Sequence, residues 1–167
     1  KALQYNCKFY DSSESLLGDP AIDAVFVLTP LESHRECAVS ALRAGKHVLL
    51  EKPVSSNIRE IEEIKAAAHE SGKLCVPVHN YLYEDSVIRT RELLDSGKLG
   101  DLVALYVFYN IHHPEEVAQR YPGVIRQILT HHAYITSYLG GKPSKAMAMA
   151  STINDGTVEK ENLAMAI

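Results

Sequence analysis

The chain has only three cysteines, Cys7, Cys37 and Cys75, and no C-x-x-C spacing among them. That argues against a disulfide-stapled scaffold and against a cysteine-built metal centre, so no metal is expected. Reduced thiols point to a cytoplasmic protein. Long apolar runs are missing too. None approaches the ~20 residues of a membrane-spanning helix, and no apolar h-region of a secretory signal follows Lys1. Positive charge is not in excess, since 17 Lys and Arg stand against 21 Asp and Glu, a net charge of −4. Binding to nucleic acid, which rests on Lys and Arg contacts to phosphate, is therefore not expected. No internal repeat or low-complexity segment is present. What remains is 46% hydrophobic and 23% charged, the composition of an ordinary globular chain.

The first half has a regular rhythm. Asp23–Thr29 is a compact β-branched and aromatic run, followed by Ser33 and Glu36 at capping-box spacing and a helical pattern stopped by Gly45. His47–Leu50 reads as the next strand. Asn57 and Glu60 repeat the capping pattern before the stripe Ile58, Ile61, Ile64, Ala67 and Ala68, which Gly72 ends. Leu74–Val78 reads as a third strand, with Pro77 suggesting an edge position. Asp11 and Glu14 mark a further helix start, and residues 5–9 one more strand. A strand–helix–strand alternation of this kind predicts a parallel sheet with right-handed crossovers.

After residue 79 the pattern changes. A helix is expected over 85–96, a long strand over 102–110, and a helix over 123–139. A hairpin of 144–153 with 162–167 turns at Asp155-Gly156. The fold class is α/β: a parallel sheet over 1–79, followed by an α+β open-sheet domain over 80–167.

In open parallel sheets, ligands bind in the crevice at the carboxyl ends of the strands. Those ends carry Thr29-Pro30, with His34 one turn into the next helix, then Glu51-Lys52-Pro53, then His79-Asn80. Lys52 is the most pointed of these. Held between a buried strand and a proline, it can donate to a substrate oxygen, and burial can lower its pKa. A surface lysine paired with Glu51 is the plain alternative.

Ile22–His34, Ala44-Gly-Lys-His-Val-Leu-Leu-Glu-Lys-Pro53 and Leu94–Asp101 resemble, in order and spacing, three signature stretches of one family. It is the glucose-fructose oxidoreductase/inositol dehydrogenase (Gfo/Idh/MocA) family. The resemblance spans about residues 5–143. It implies NAD- or NADP-dependent hydride transfer to or from a sugar, polyol or related hydroxy or carbonyl compound. It further implies that 1–79 is part of a dinucleotide-binding, Rossmann-like parallel sheet, that 80–167 is an incomplete α+β open-sheet domain, and that a homo-oligomer forms through the sheet of the second domain. Lys52 would be the catalytic lysine, hydrogen-bonded to the reacting oxygen, with a cis bond before Pro53. Thr29, Pro30, His34, Glu51, Lys52, Pro53 and Asn80 would bind the cofactor.

The family's second catalytic element is a helix reading roughly D-x-x-x-H. Gln127–His131 matches it, which gives His131 the acid/base position, with His132 the neighbouring candidate for the substrate. Gln127 stands where the family has an aspartate, so it can orient a substrate without lending charge. Tyr134 stands near the place of a later aspartate. The nine glycines form no G-x-G-x-x-G, the turn that holds the pyrophosphate. The chain therefore reads as an internal fragment without that segment and without the last strands. A non-catalytic, ligand-sensing or oligomerising relative is the second reading, favoured by Gln127 and disfavoured by the intact Glu51-Lys52-Pro53. A lyase-type relative with retained nicotinamide is the third.

Other signals read as packing. Tyr81, Tyr83, Tyr106 and Tyr109 suit a core or sheet face, or a stacked sugar ring. His112 and His113 are exposed or face substrate. His47, His69 and the run Glu60, Glu62, Glu63 suit solvent.

Overall fold

Strands β1 (Ala24–Val27), β2 (His47–Leu50) and β3 (Cys75–Pro77) pair in parallel in the order β1-β2-β3. The structure is a computed structural model and describes residues 2, 4–112, 114, 116, 123–153 and 160–167. Its chain divides into two compact units, residues 1–78 and 79–167.

In the first unit, helices α2 (Leu31–Arg43) and α3 (Ile58–Ser71) pack on one side of the sheet. The register explains which side. The rows Val25–Val48–Cys75 and Val27–Leu50–Pro77 point into the core with Ala38, Leu42, Ile64 and Ala67. The alternate row Phe26–Leu49–Val76 lies on the opposite, exposed face. Leu42 and Leu50 are fully buried, and truncating such a side chain to alanine costs about 2–5 kcal/mol.

Several details differ from the sequence expectation. Helix α2 begins at Leu31, two residues before the expected cap. Pro30 takes the N-cap position, and Ser33 Oγ instead donates to the Pro30 carbonyl. Proline suits that place because its missing N–H is no loss there. Asn57 does cap α3 through the Glu60 amide, but the Glu60 carboxylate accepts from Ser55 Oγ rather than from the cap backbone. Ile58 is exposed, so the α3 stripe starts one turn later. The short helix α1 (Ser13–Leu17) is capped by Ser12 with Ser15 returning the bond, one residue after the expected Asp11. Residues 5–9 form no strand. Their region is held instead by Lys8 and Tyr10 on Asp19, which keep that carboxyl well below the usual carboxylate range.

Lys46 and His47 are also more engaged than a surface reading allows. Lys46 is buried and donates to the Asp19 carbonyl at 2.8 Å. His47 Nδ1 accepts from the Leu74 amide at 3.1 Å. Glu63 bridges Arg35 on α2 and Arg59 on its own helix, so only Glu62 of the acidic run is fully exposed.

The second unit opens with a 3-10 turn at Asn80–Tyr83 and helix α4 (Asp85–Asp95). A π-helical stretch at Ile125–Leu129 leads into helix α5 (Thr130–Gly140). Strands β4 (Ala148–Ser151) and β5 (Leu163–Ala166) pair antiparallel, and the expected turn at Asp155-Gly156 lies outside the described residues. The long strand expected over 102–110 is not formed. Among the described residues no strand pairs with it, and a β-prone sequence needs a neighbouring ladder to become a strand. Val103, Tyr106 and Phe108 are accordingly exposed.

Gly123 is where a glycine is required. Its φ is +99°, and a Cβ there would collide with the Glu161 carboxylate. Glu161 approaches so closely because its carbonyl and its carboxylate accept the Val124 and Ile125 amides at the start of the helical stretch.

Candidate functional site

In the first unit the polar residues gather at the carboxyl ends of β1 and β2, as the topology requires. His34 ties these two ends together. It is 2% exposed, with Nε2 at 2.9 Å from the Thr29 carbonyl and Nδ1 at 2.9 Å from the Pro53 carbonyl. Both ring nitrogens are thus engaged by the loops. This residue, expected to line a nucleotide, holds Thr29-Pro30 and Lys52-Pro53 in place, because it sits on the inner face of the first turn of α2.

Lys52 is half-buried and precedes a cis peptide bond to Pro53. Its backbone N–H donates to Glu51 Oε2 at 2.6 Å, which folds the acidic side chain back on the loop. Burial pushes the Lys52 ammonium below the ordinary lysine range, and the Glu51 charge opposes that shift. A lysine so placed is a donor with reduced cost of giving up its proton. Thr29 and Pro30 are exposed beside this loop's partner strand end.

In the second unit His131 is 6% and Tyr134 9% exposed on α5. Tyr134 Oη lies 2.5 Å from His131 Nδ1, receives the Tyr81 amide at 3.3 Å and stands 3.5 Å from Asn80 Oδ1. Tyr81 stacks on the His131 ring at 4.4 Å, and His79 on the Tyr134 ring at 4.2 Å. Burial, followed by a hydrogen bond to Tyr109, raises the Tyr81 phenol above its ordinary value. Gln127 lies one turn before His131, within the π-helical stretch. It lines a cleft of about 470 Å³ together with Tyr109, His112, His132 and Asn162. His113 lies outside the described residues.

His132 faces a different way from His131, as adjacent helical residues must. Its ring meets Tyr109 edge-on at 6.2 Å, and its buried Nε2 finds no hydrogen-bond partner among the described residues. Desolvation lowers both His132 and His79 below the ordinary histidine range. Each then takes up its proton more readily unfolded than folded, so stability is fully present above the unfolded value near 6.5 and falls as pH drops toward the folded values. The expected result is a lower Tm at pH 5.5 than at pH 7.5, with a smaller drop in His132→Phe. Glu60 and Glu63 titrate at lower pH and leave this window to the histidines. A Tm equal at both pH values would refute the assignment.

The sequence offers Tyr134 only as the replacement of a later aspartate, and Tyr81 only as packing or a sugar-stacking ring; neither is tied to His131 there. The spacing of His131 and Tyr134, three residues apart on one helix, was the available signal for the first. Nothing in the sequence pairs Tyr81 with His131.

A parallel sheet flanked by helices, with polar loops at its strand ends, defines the first unit as an open α/β sheet of the ligand-binding class. The chain belongs to the Gfo/Idh/MocA family. Residues 1–79 match the model for "Oxidoreductase family, NAD-binding Rossmann fold", and residues 87–167 match the family's C-terminal domain. It is 33% identical over 157 residues to 1,5-anhydro-D-fructose reductase of Ensifer adhaerens, covering 89% of this chain and 47% of that protein. It is 32% identical over 160 residues to scyllo-inositol 2-dehydrogenase (NADP(+)) IolW of Bacillus subtilis (strain 168), covering 91% and 45%. The solved structure of YvaA from Bacillus subtilis superposes with a TM-score of 0.86 at 29% identity, over 97% of this chain and 46% of that one. The chain thus spans about half the length of the curated relatives it matches.

Proposed function

We propose that the protein carrying this chain transfers hydride between NAD or NADP and a sugar, polyol or related hydroxy or carbonyl compound. The observation that carries the reading is Lys52: a cation half-buried at the carboxyl end of a parallel strand, with its proton made easier to lose. The relatives that act on anhydrofructose and scyllo-inositol support the substrate class.

The residues at the strand ends fit the nicotinamide half of the cofactor. Thr29, Pro30, Glu51, Lys52 and Pro53 would hold it, with His34 fixing the loops and Asn80 carried over by resemblance. When bound, the nicotinamide supplies a two-electron carrier for a carbon-bound hydrogen. Lys52 donates to the reacting oxygen. His131 takes the hydroxyl proton in oxidation and returns it in reduction, which balances the hydride. Gln127 orients the substrate without adding charge.

The free cysteines support a reducing, cytoplasmic setting. The exposed Met147, Met149 and Met165 around β4 and β5 support association of copies through the second unit.

The test is NADH and NADPH oxidation, and the reverse reaction, by the whole protein against a panel of ketoses, anhydrosugars and inositols. Substrate-dependent turnover is expected with at least one nucleotide. Nucleotide binding without turnover on any substrate would favour the ligand-sensing alternative.

A further inference from the structure

Gln127 sits in the π-helical stretch Ile125–Leu129. Such turns are rare, short and concentrated at functional sites, so what holds this one in place bears on function. Val124, at its N-cap, has no side-chain acceptor, and the stretch makes no cap of its own. The first amides of a helix need partners from elsewhere. Glu161 supplies them. Its carbonyl accepts the Val124 amide at 3.0 Å, and its Oε1 accepts the Ile125 amide at 3.2 Å. At the other end of the turn, Thr130 Oγ1 donates to the Arg126 carbonyl at 3.0 Å.

These contacts reach Gln127 through one further residue. The Gln127 backbone N–H donates to the Gly123 carbonyl at 3.1 Å, and Gly123 is the residue against which the Glu161 carboxylate packs so closely that a Cβ would collide with it. Glu161 belongs to a different element, just ahead of β5, and it lines the same cleft as Gln127. A residue at the edge of the sheet therefore fixes where the helical stretch begins, and that start fixes the backbone from which the Gln127 side chain enters the cleft.

We propose that Glu161 is a positioning residue for Gln127: from the start of β5 it fixes the beginning of the π turn, and through that turn it holds the Gln127 amide in the cleft. The inference rests on the reading of Gln127 as the group that orients substrate. A neutral amide and a substrate hydroxyl attract weakly unless donor and acceptor are aligned, so the direction of the Gln127 side chain decides what it contributes. Thr130 braces the far end of the same turn and acts in the same sense.

The first measurement uses the whole protein labelled with 15N-glutamine, the Gln127 side-chain amide being assigned by the signal missing in Gln127→Ala. Glu161→Ala should move that signal. Glu161→Gln, which keeps an oxygen for the Ile125 amide, should leave it near its wild-type position. Thr130→Val, which removes the bond at the far end of the turn, should also move it, and it decides the matter alone if Glu161→Ala does not fold. An unmoved Gln127 signal in the folded variants would overturn the proposal whatever the activity. The second measurement is a kinetic cycle on the sugar or inositol with the highest turnover. Gln127→Ala should lower kcat/KM about three- to tenfold, the loss of one hydrogen bond. Glu161→Ala should lower it similarly, with the same split between KM and kcat, and the double variant should lose no more than Gln127→Ala alone. A Glu161 that served stability only would lower Tm and multiply the losses in the double variant, which would overturn the proposal. A moved signal with unchanged kinetics in Gln127→Ala would uphold the positioning and refute the substrate role of Gln127.

Discussion

Replacing Lys52 with alanine in the whole protein should lower turnover by about 10²–10⁴-fold, the range for removing a positioned proton donor. Nucleotide binding should fall far less than turnover, because Lys52 is one of several groups proposed to hold the nicotinamide, and Thr29, Pro30, Glu51 and the His34 bonds that hold their loops are untouched. Fluorescence titration with NADPH or NADH separates the two effects from the rate. Lys52→Arg should not rescue. A guanidinium keeps the charge but stays protonated at any working pH, and its planar fork aims differently from an ammonium. Glu51→Gln gives a signed check. The Glu51 charge works against the burial that depresses Lys52, so its removal lets the lysine fall further. The limb of the kcat–pH profile that belongs to Lys52 should therefore move to lower pH. Gln retains a carbonyl that can accept the Lys52 amide, so the loop bond is kept. Turnover of Lys52→Ala within tenfold of wild type would remove the lysine from the mechanism.

The parts of this molecule that a linear reading reached are those governed by short-range rules. Periodicity and glycine stops placed α2, α3 and the three parallel strands, because each element's pattern is contained within its own residues. Pro77 correctly marked β3 as an outer strand of the described sheet. The half-buried placement of Lys52 was legible because a strand end followed by proline confines a side chain. The failures are long-range. The segment 102–110 has every strand propensity and no described partner, and a ladder is a property of two segments. What a linear reading did not show of His34 is its tie between two loops. Its two carbonyl partners lie 5 and 19 residues away, and only the folded loops bring them together. Tyr134 looked like the loss of an acid. In the fold it is the residue that touches His131.

His131→Gln should cost turnover on the same scale as the lysine, about 10²–10⁴-fold, and its pH profile should lose the limb that the imidazole sets. The control is its neighbour. His132→Gln should reduce turnover less than tenfold, because that ring points about 100° away around the helix, toward Tyr109. The two residues also differ in what their rings meet. His131 is stacked by Tyr81 and tethered through Nδ1, a geometry that holds one nitrogen in a constant direction. Among the described residues nothing partners the buried Nε2 of His132, and its affinity for protons is depressed, which suits a packed neutral ring better than a proton carrier. The amide of His132→Gln can fill part of that volume, so stability provides the second reading. His132→Gln should change Tm and the acid-side slope of stability, whereas His131→Gln should act chiefly on rate. If the rate losses fell in the opposite order, the site register would move one residue along α5.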